Sequence, residues 1–164
     1  MITKFKLYTE SKKDTELIDY IIKNDTEGIK KYIADGKELN TIGNNGFTSM
    51  IAVVYYDSLE SFELLFDAGI NIDLQNVYGN TALNWSSTAS SSFSSYTSSG
   101  NSSYFKWVVK LLEYGAEWFS NYDKKEGEIF FDNLNKNQQD DIKKLYPEQY
   151  KKYLKQKTIK KFKI

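Results

Sequence analysis

The chain has 164 residues, 40% of them apolar and 27% charged, and 22 acidic residues balance 22 basic ones to a formal net charge of zero. Cysteine and histidine are absent and every basic residue is Lys, which excludes disulfides, thiolate metal sites, His-containing triads and bidentate guanidinium clamps on phosphate. No metal or cofactor is therefore expected. No apolar run approaches the roughly 20 residues that cross a bilayer. Met1 to Glu10 alternates Lys with apolar residues and has no apolar h-region, so a cytoplasmic protein without a secretory leader is expected.

In chain order, residues 1–13 read as an N-terminal extension. Leu17, Ile18, Ile21 and Ile22 then fall on one face at helical spacing, and Ile29, Tyr32 and Ile33 make a second stripe. This helix pair stops at Gly36, where a residue tolerant of positive φ is needed. A turn at Gly46 follows, with Thr48 placed to cap the next helix through its hydroxyl. Leu59, Phe62, Leu65 and Phe66 form another stripe, ended by Gly69. The cycle restarts with Gly79 in a turn and Thr81 as cap, and Val108, Leu111 and Leu112 precede Gly115.

Gly36 and Gly69 are 33 residues apart, and so are Gly46 and Gly79. Their flanks repeat as well. Tyr32-Ile33-Ala34-Asp35-Gly36 matches Leu65-Phe66-Asp67-Ala68-Gly69 and Leu112-Glu113-Tyr114-Gly115; Asn45-Gly46-Phe47-Thr48 matches Tyr78-Gly79-Asn80-Thr81. One such helix pair cannot bury its apolar face alone, whereas stacked neighbours can.

On these residues the chain resembles the ankyrin repeat family, over roughly residues 14 to 146. The clearest copy runs from Asn45-Gly46-Phe47-Thr48-Ser49-Met50-Ile51-Ala52 to Leu64-Leu65-Phe66-Asp67-Ala68-Gly69. The resemblance implies an all-α repeat solenoid of stacked helix-turn-helix pairs with hairpin connections. It divides into a cap (14–43), a repeat (44–76), a second repeat (77–123) and a degenerate C-terminal repeat (124–146). The family's Pro is Ser49 and Ala82 here, and its His is Ile51 and Asn84. That His ties neighbouring repeats together in the family. Its loss is expected to weaken their coupling, with a Tyr-rich core offsetting it through larger buried area.

Gly69 to Gly115 spans 46 residues, and the excess falls in 86–103, where eleven of eighteen residues are Ser. Such composition predicts a flexible loop without further role. Phe93, Tyr96, Tyr104 and Phe105 interrupt the serines, so partner binding and phosphorylation stand beside that reading. Pro147 ends the last repeat helix or begins the next. From Lys151 to Ile164 there are seven Lys and no acid. This Lys-rich tail (147–164) reads as a capping helix with Tyr150, Tyr153 and Leu154 on one face. Contact with nucleic acid or an anionic membrane is the sharper alternative. No nucleic acid is expected, because Arg is missing and the front half is acidic.

Residues 14 to 73 carry twelve acids against four Lys. Absent the usual catalytic residues, the chain is expected to be a non-enzymatic module that binds a protein partner. The resemblance places that partner on the concave face of hairpin tips and first helices. Residue by residue, this gives Asn44, Asn45, Phe47, Tyr55 and Tyr56 in one repeat and Gln75, Val77, Tyr78 and Asn80 in the next. Of Tyr55 and Tyr56, one is expected to be buried and one available. Small bacterial ankyrin-like proteins include toxin inhibitors and immunity proteins, and the acidic stretch suits a basic toxin or nuclease. A monomer is favoured, with a self-associating scaffold as the alternative. An enzyme would rest on Asp140 with Asp141 or Glu126 with Glu128, pairs more often found as surface charge.

Overall fold

The computed structural model describes residues 15–93, 104–118 and 130–162, with backbone alone at 91–93 and 156–162. The N-terminal extension, Tyr96, the Glu126/Glu128 pair and the side chain of Phe93 lie outside the described residues. The chain divides into two units, Met1–Ala82 and Leu83–Ile164.

In the first unit, α1 (Glu16–Lys23) buries Leu17, Ile18 and Ile21 on one stripe. Each such aliphatic side chain taken from water contributes about 1.5–3 kcal/mol. The helix ends at Asn24, which adopts φ 52°, a left-handed conformation that Asn tolerates. Asp25 then caps α2 (Thr26–Ala34) by accepting the Gly28 N–H at 2.9 Å. Gly36, at φ 66°, closes this pair. The next pair repeats the scheme. Thr48 caps α3 (Ser49–Tyr55) by accepting the Ile51 N–H at 3.1 Å. Asp57 takes the left-handed position of Asn24, and α4 (Leu59–Asp67) ends at Gly69 with φ 85°. Helix α1 packs on α2 and α3, and α4 packs on α2 and α3, so two helix pairs stack.

A finger precedes each first helix. In the first, Ile42 bridges Thr48, Gly43 N–H donates to Phe47 O at 2.9 Å, and Gly46 turns at φ 78°. In the second, Asn76 N–H donates to Asn80 O at 3.0 Å around Gly79, also at φ 78°.

The position of the family His is filled by Ile51, which is completely buried. Polar ties between repeats come from elsewhere. The Ser58 hydroxyl donates to Asn24 Oδ1 at 2.7 Å, and Asn71 N–H donates to Asn40 Oδ1 at 2.8 Å. The expected Tyr-rich core is not what compensates. Among the described residues only Tyr32 and Tyr153 are buried tyrosines; the core is aliphatic with Phe62, Phe105, Trp107, Phe130 and Phe131.

The second unit holds α5 (Ala82–Phe93), α6 (Phe105–Glu113), a 3-10 turn (Phe130–Asn133), α7 (Lys136–Leu145) and α8 (Pro147–Phe162). Helix α5 corrects the loop reading of the serine stretch as far as Phe93. Its hydroxyls fold back on its own carbonyls: Ser86 onto Leu83 O, Ser87 onto Asn84 O and Thr88 onto Asn84 O, at 2.8–3.0 Å. A Ser satisfied in this way can be buried in a helix, and Ser86 and Ser87 are. Asn135 and Gln138 form a capping box at the start of α7.

Pro147 opens α8, one residue beyond the α7 cap at Tyr146, where its missing N–H costs nothing. Tyr153 seats α8. It is buried, donates to Asp132 Oδ1 at 2.7 Å, and lies 5.0 Å from the Phe131 ring. Leu154, expected on the same face, is instead exposed. Among the described residues no helix is long and apolar enough to cross a membrane.

Candidate protein-binding face

The fingers owe their shape to asparagines. Asn45 Oδ1 accepts the Phe47 N–H at 3.0 Å. In the second finger Asn76 Oδ1 accepts the N–H groups of both Tyr78 and Asn80, at 3.0 and 2.9 Å. Side-chain carbonyls that serve backbone two residues on fix a turn without help from a strand. Asn76 is buried and did not stand out in the sequence; its offset from Gly79, matching that of Gly43 from Gly46, was the available signal.

Helix α3 is buried at every position from Ser49 to Val54. Only its C-terminal end reaches solvent, and there both tyrosines are exposed, Tyr55 at 44% and Tyr56 at 39%. The expectation that one would be buried is thus corrected: the six residues before them already fill the space between neighbouring helices. The Phe47 ring lies 5.2 Å from Tyr55, and Tyr55 meets Tyr56 edge-on at 4.9 Å. Aromatic pairs at these separations hold one another in place.

The second finger adjoins the first. A Cβ built on Gly46 would stand 3.4 Å from Val77 Cγ2 and 3.6 Å from Tyr78 Cε2. Val77 and Tyr78 are 54% and 68% exposed. Asn44 and Asn45 are exposed, while Phe47, Gln75 and Asn80 are half-buried. The nine expected positions therefore all reach solvent. Phe47, Tyr55 and Tyr56 form one ring chain, and the first fingertip comes close to Val77 and Tyr78.

Charge is kept out of the spans that build this face. No charged residue occurs from Thr41 to Tyr56, or from Leu74 to Phe105. Both fingers and α3 lie in these spans. The acids of the first unit stand mainly on other elements, Glu27 on α2 and Glu60, Glu63 and Asp67 on α4. Lys30 pairs with Glu27 at 2.6 Å and Lys37 with Glu16 at 2.8 Å. Both ammonium groups are held above their ordinary pKa, first of all by the hydrogen bond to the carboxylate.

Asp140 and Asp141, the candidate acid pair, are successive residues of α7 and so point about 100° apart. Lys143 Nζ lies 2.8 Å from Asp140 and its hydrogen bond holds that carboxyl below the usual carboxylate range. Among the described residues no group of three or more acids is placed to hold a metal ion.

The fold is similar to that of the ankyrin repeat domain of Bcl-3, described as a unique member of the IkappaB protein family. The TM-score is 0.60 at 18% identity, over 77% of this chain and 49% of that one, so the chain spans about half the length of that domain. No family model matches the sequence, and no curated protein matches it. At that identity the likeness speaks for architecture. The chain is an all-α, ankyrin-like repeat solenoid, a fold that generally mediates protein–protein interaction.

Proposed function

We propose that the chain is a binding module that grips a protein partner through the finger-and-first-helix face, and that it acts as an inhibitor, with neutralisation of a toxin as the setting. The observation that carries this reading is the exposed aromatic set on a rigid frame. Tyr55, Tyr56, Val77 and Tyr78 are large, partly apolar and in water; Tyr55 packs on Phe47, whose turn is held by Asn45, and Asn76 holds the turn that carries Tyr78. Tyrosines held in this way lose little conformational freedom on binding and dominate interface energetics.

The acid excess of the first unit supports a basic partner, a toxin or nuclease, through faster encounter. Affinity capture from the source organism's lysate with the parent chain, and in parallel with Tyr56→Ala and Tyr78→Ala, tests the reading. A partner retained by the parent and lost by both variants supports it. A partner held equally by all three moves the binding site elsewhere. Inhibition then requires that the captured partner lose its activity when the chain is added.

A further inference from the structure

We propose that this face receives a protein epitope whose centre carries no charge, built from amide, hydroxyl and apolar side chains. The inference rests on the protein-binding reading above and names the chemistry of the partner surface.

The argument begins with what the face lacks. Asn44, Asn45, Phe47, Tyr55, Tyr56, Gln75, Val77, Tyr78 and Asn80 are all uncharged, and so is every other residue of the two fingers and α3. Charges stand next to these spans in sequence, at Asp57 and Asp73, and Lys23 at the end of α1 is the 33-residue offset mate of Tyr56, the cap of α3. An ion pressed against the middle of such a surface sheds its water and finds no opposite charge within the two spans, at an effective cost of several kcal/mol per ion. A cation over an exposed ring recovers about 0.5–1 kcal/mol, which does not offset that cost.

The chain itself shows the contrast. Lys37 stands 5.0 Å from the centre of the Tyr32 ring, and the same ammonium is 2.8 Å from a Glu16 carboxylate oxygen. Lys143 stands 5.5 Å from the centre of the Tyr150 ring with Asp140 at 2.8 Å. At both of these rings, Tyr32 and Tyr150, a carboxylate stands beside the cation; at a third, Lys110 stands 4.8 Å from the centre of the Tyr114 ring. The fingers and α3 supply no carboxylate. They also supply no Lys, so phosphates meet no cation there.

What the face does supply is four carboxamides, each able to donate and accept, around phenol rings with an apolar body and a polar tip. The first unit's described residues hold eleven acids and four Lys, and their field acts on approach rather than on the final contact. Encounter then varies with salt while residence does not.

The test pans a phage-displayed library of random peptides of about a dozen residues against the full chain, and again against the full chain carrying Tyr56→Ala and Tyr78→Ala. Val77→Ser with Tyr78→Ser, confined to the second fingertip, serves if the first pair unfolds. The expected peptides are poorer in Asp, Glu, Lys and Arg than the input library and lose about tenfold in affinity on the variant. Their dissociation rates stay within about twofold between about 0.05 and 0.5 M NaCl. Peptides that depend on the tyrosines yet are rich in Lys and Arg, and leave faster in salt, overturn this inference while the protein-binding reading stands. Peptides indifferent to the tyrosines, or no enrichment at all, overturn both. A dimer of the parent chain in sedimentation, lost on Tyr78→Ala, gives the face to a second copy and also overturns the proposal.

Discussion

Replacing Ser49 with Pro writes the ankyrin-pattern residue into its own position, and the structure predicts that the protein is destabilised. Ser49 is the first residue of α3, a site where Pro ordinarily fits. Thr48 before it is extended at φ −72° and ψ 161°, as a residue preceding Pro should be. The obstacle is hydrogen bonding. Ser49 N–H donates to Thr41 O at 3.1 Å, its hydroxyl donates to Leu39 O at 2.8 Å, and Thr41 Oγ1 lies 2.9 Å from Ser49 Oγ. Thr41 and Ser49 are 1% and 0% exposed, so water does not replace what is removed.

Three bonds at about 1 kcal/mol each, less the 0.4–1 kcal/mol that Pro gains by restricting the unfolded chain, leave a net loss of about 2 kcal/mol. Ala82 opens α5 at the matching position and has no hydroxyl to lose, so Ala82→Pro should fall within about 1 kcal/mol of the parent. Urea denaturation of the two variants, followed by helical circular dichroism, makes the comparison. If Ser49→Pro raises the midpoint as much as Ala82→Pro does, the Thr41–Ser49–Leu39 network carries no net stability and the reasoning fails.

Tyr56→Ala and Tyr78→Ala should each leave folding stability within about 0.5 kcal/mol of the parent, while weakening partner binding by about 1–3 kcal/mol; thermal melts and calorimetric titration read the two effects separately. Tyr153→Phe keeps the ring contacts of α8 but deletes the bond to Asp132, and should cost about 1.5 kcal/mol with faster amide exchange in α8, measured by hydrogen exchange. Gly69→Ala meets no atom within 4 Å of the added Cβ, yet must hold φ 85°; chemical denaturation should show a loss of about 1–2 kcal/mol. Because the hydrogen bond from Lys143 lowers the Asp140 pKa, that pair's contribution is complete at neutral pH and is lost as pH falls below the ordinary Asp range and through the lowered value. Asp140→Asn should flatten that acid limb in pH-dependent melts.

The glycines were legible because a helix that must stop demands positive φ, and Gly36, Gly69 and Gly115 meet that demand at the expected places. Thr48 was legible as a cap for the same local reason. Helix α3 had no readable stripe, since a helix covered on all sides shows no polar face, and only its place between Thr48 and Gly69 revealed it. The serine stretch misled because composition counts Ser as a loop former, whereas bonds to carbonyls three and four residues back let it continue a helix. The candidate face was reached through the resemblance to the ankyrin family. Its lack of charge was written in the sequence, but it acquires meaning only when the second fingertip is seen beside Gly46 and the end of α3 beside Phe47.

The ties Ser58–Asn24 and Asn71–Asn40 join residues 34 and 31 positions apart, each close to one repeat length. A side chain of one repeat therefore completes a group in the next. Cutting the chain within this stretch strands a donor or an acceptor, whereas inserting a whole 33-residue block hands each partner on to the newcomer. Such a chain can grow by duplication in whole blocks and is poorly built to shrink by fractions of one.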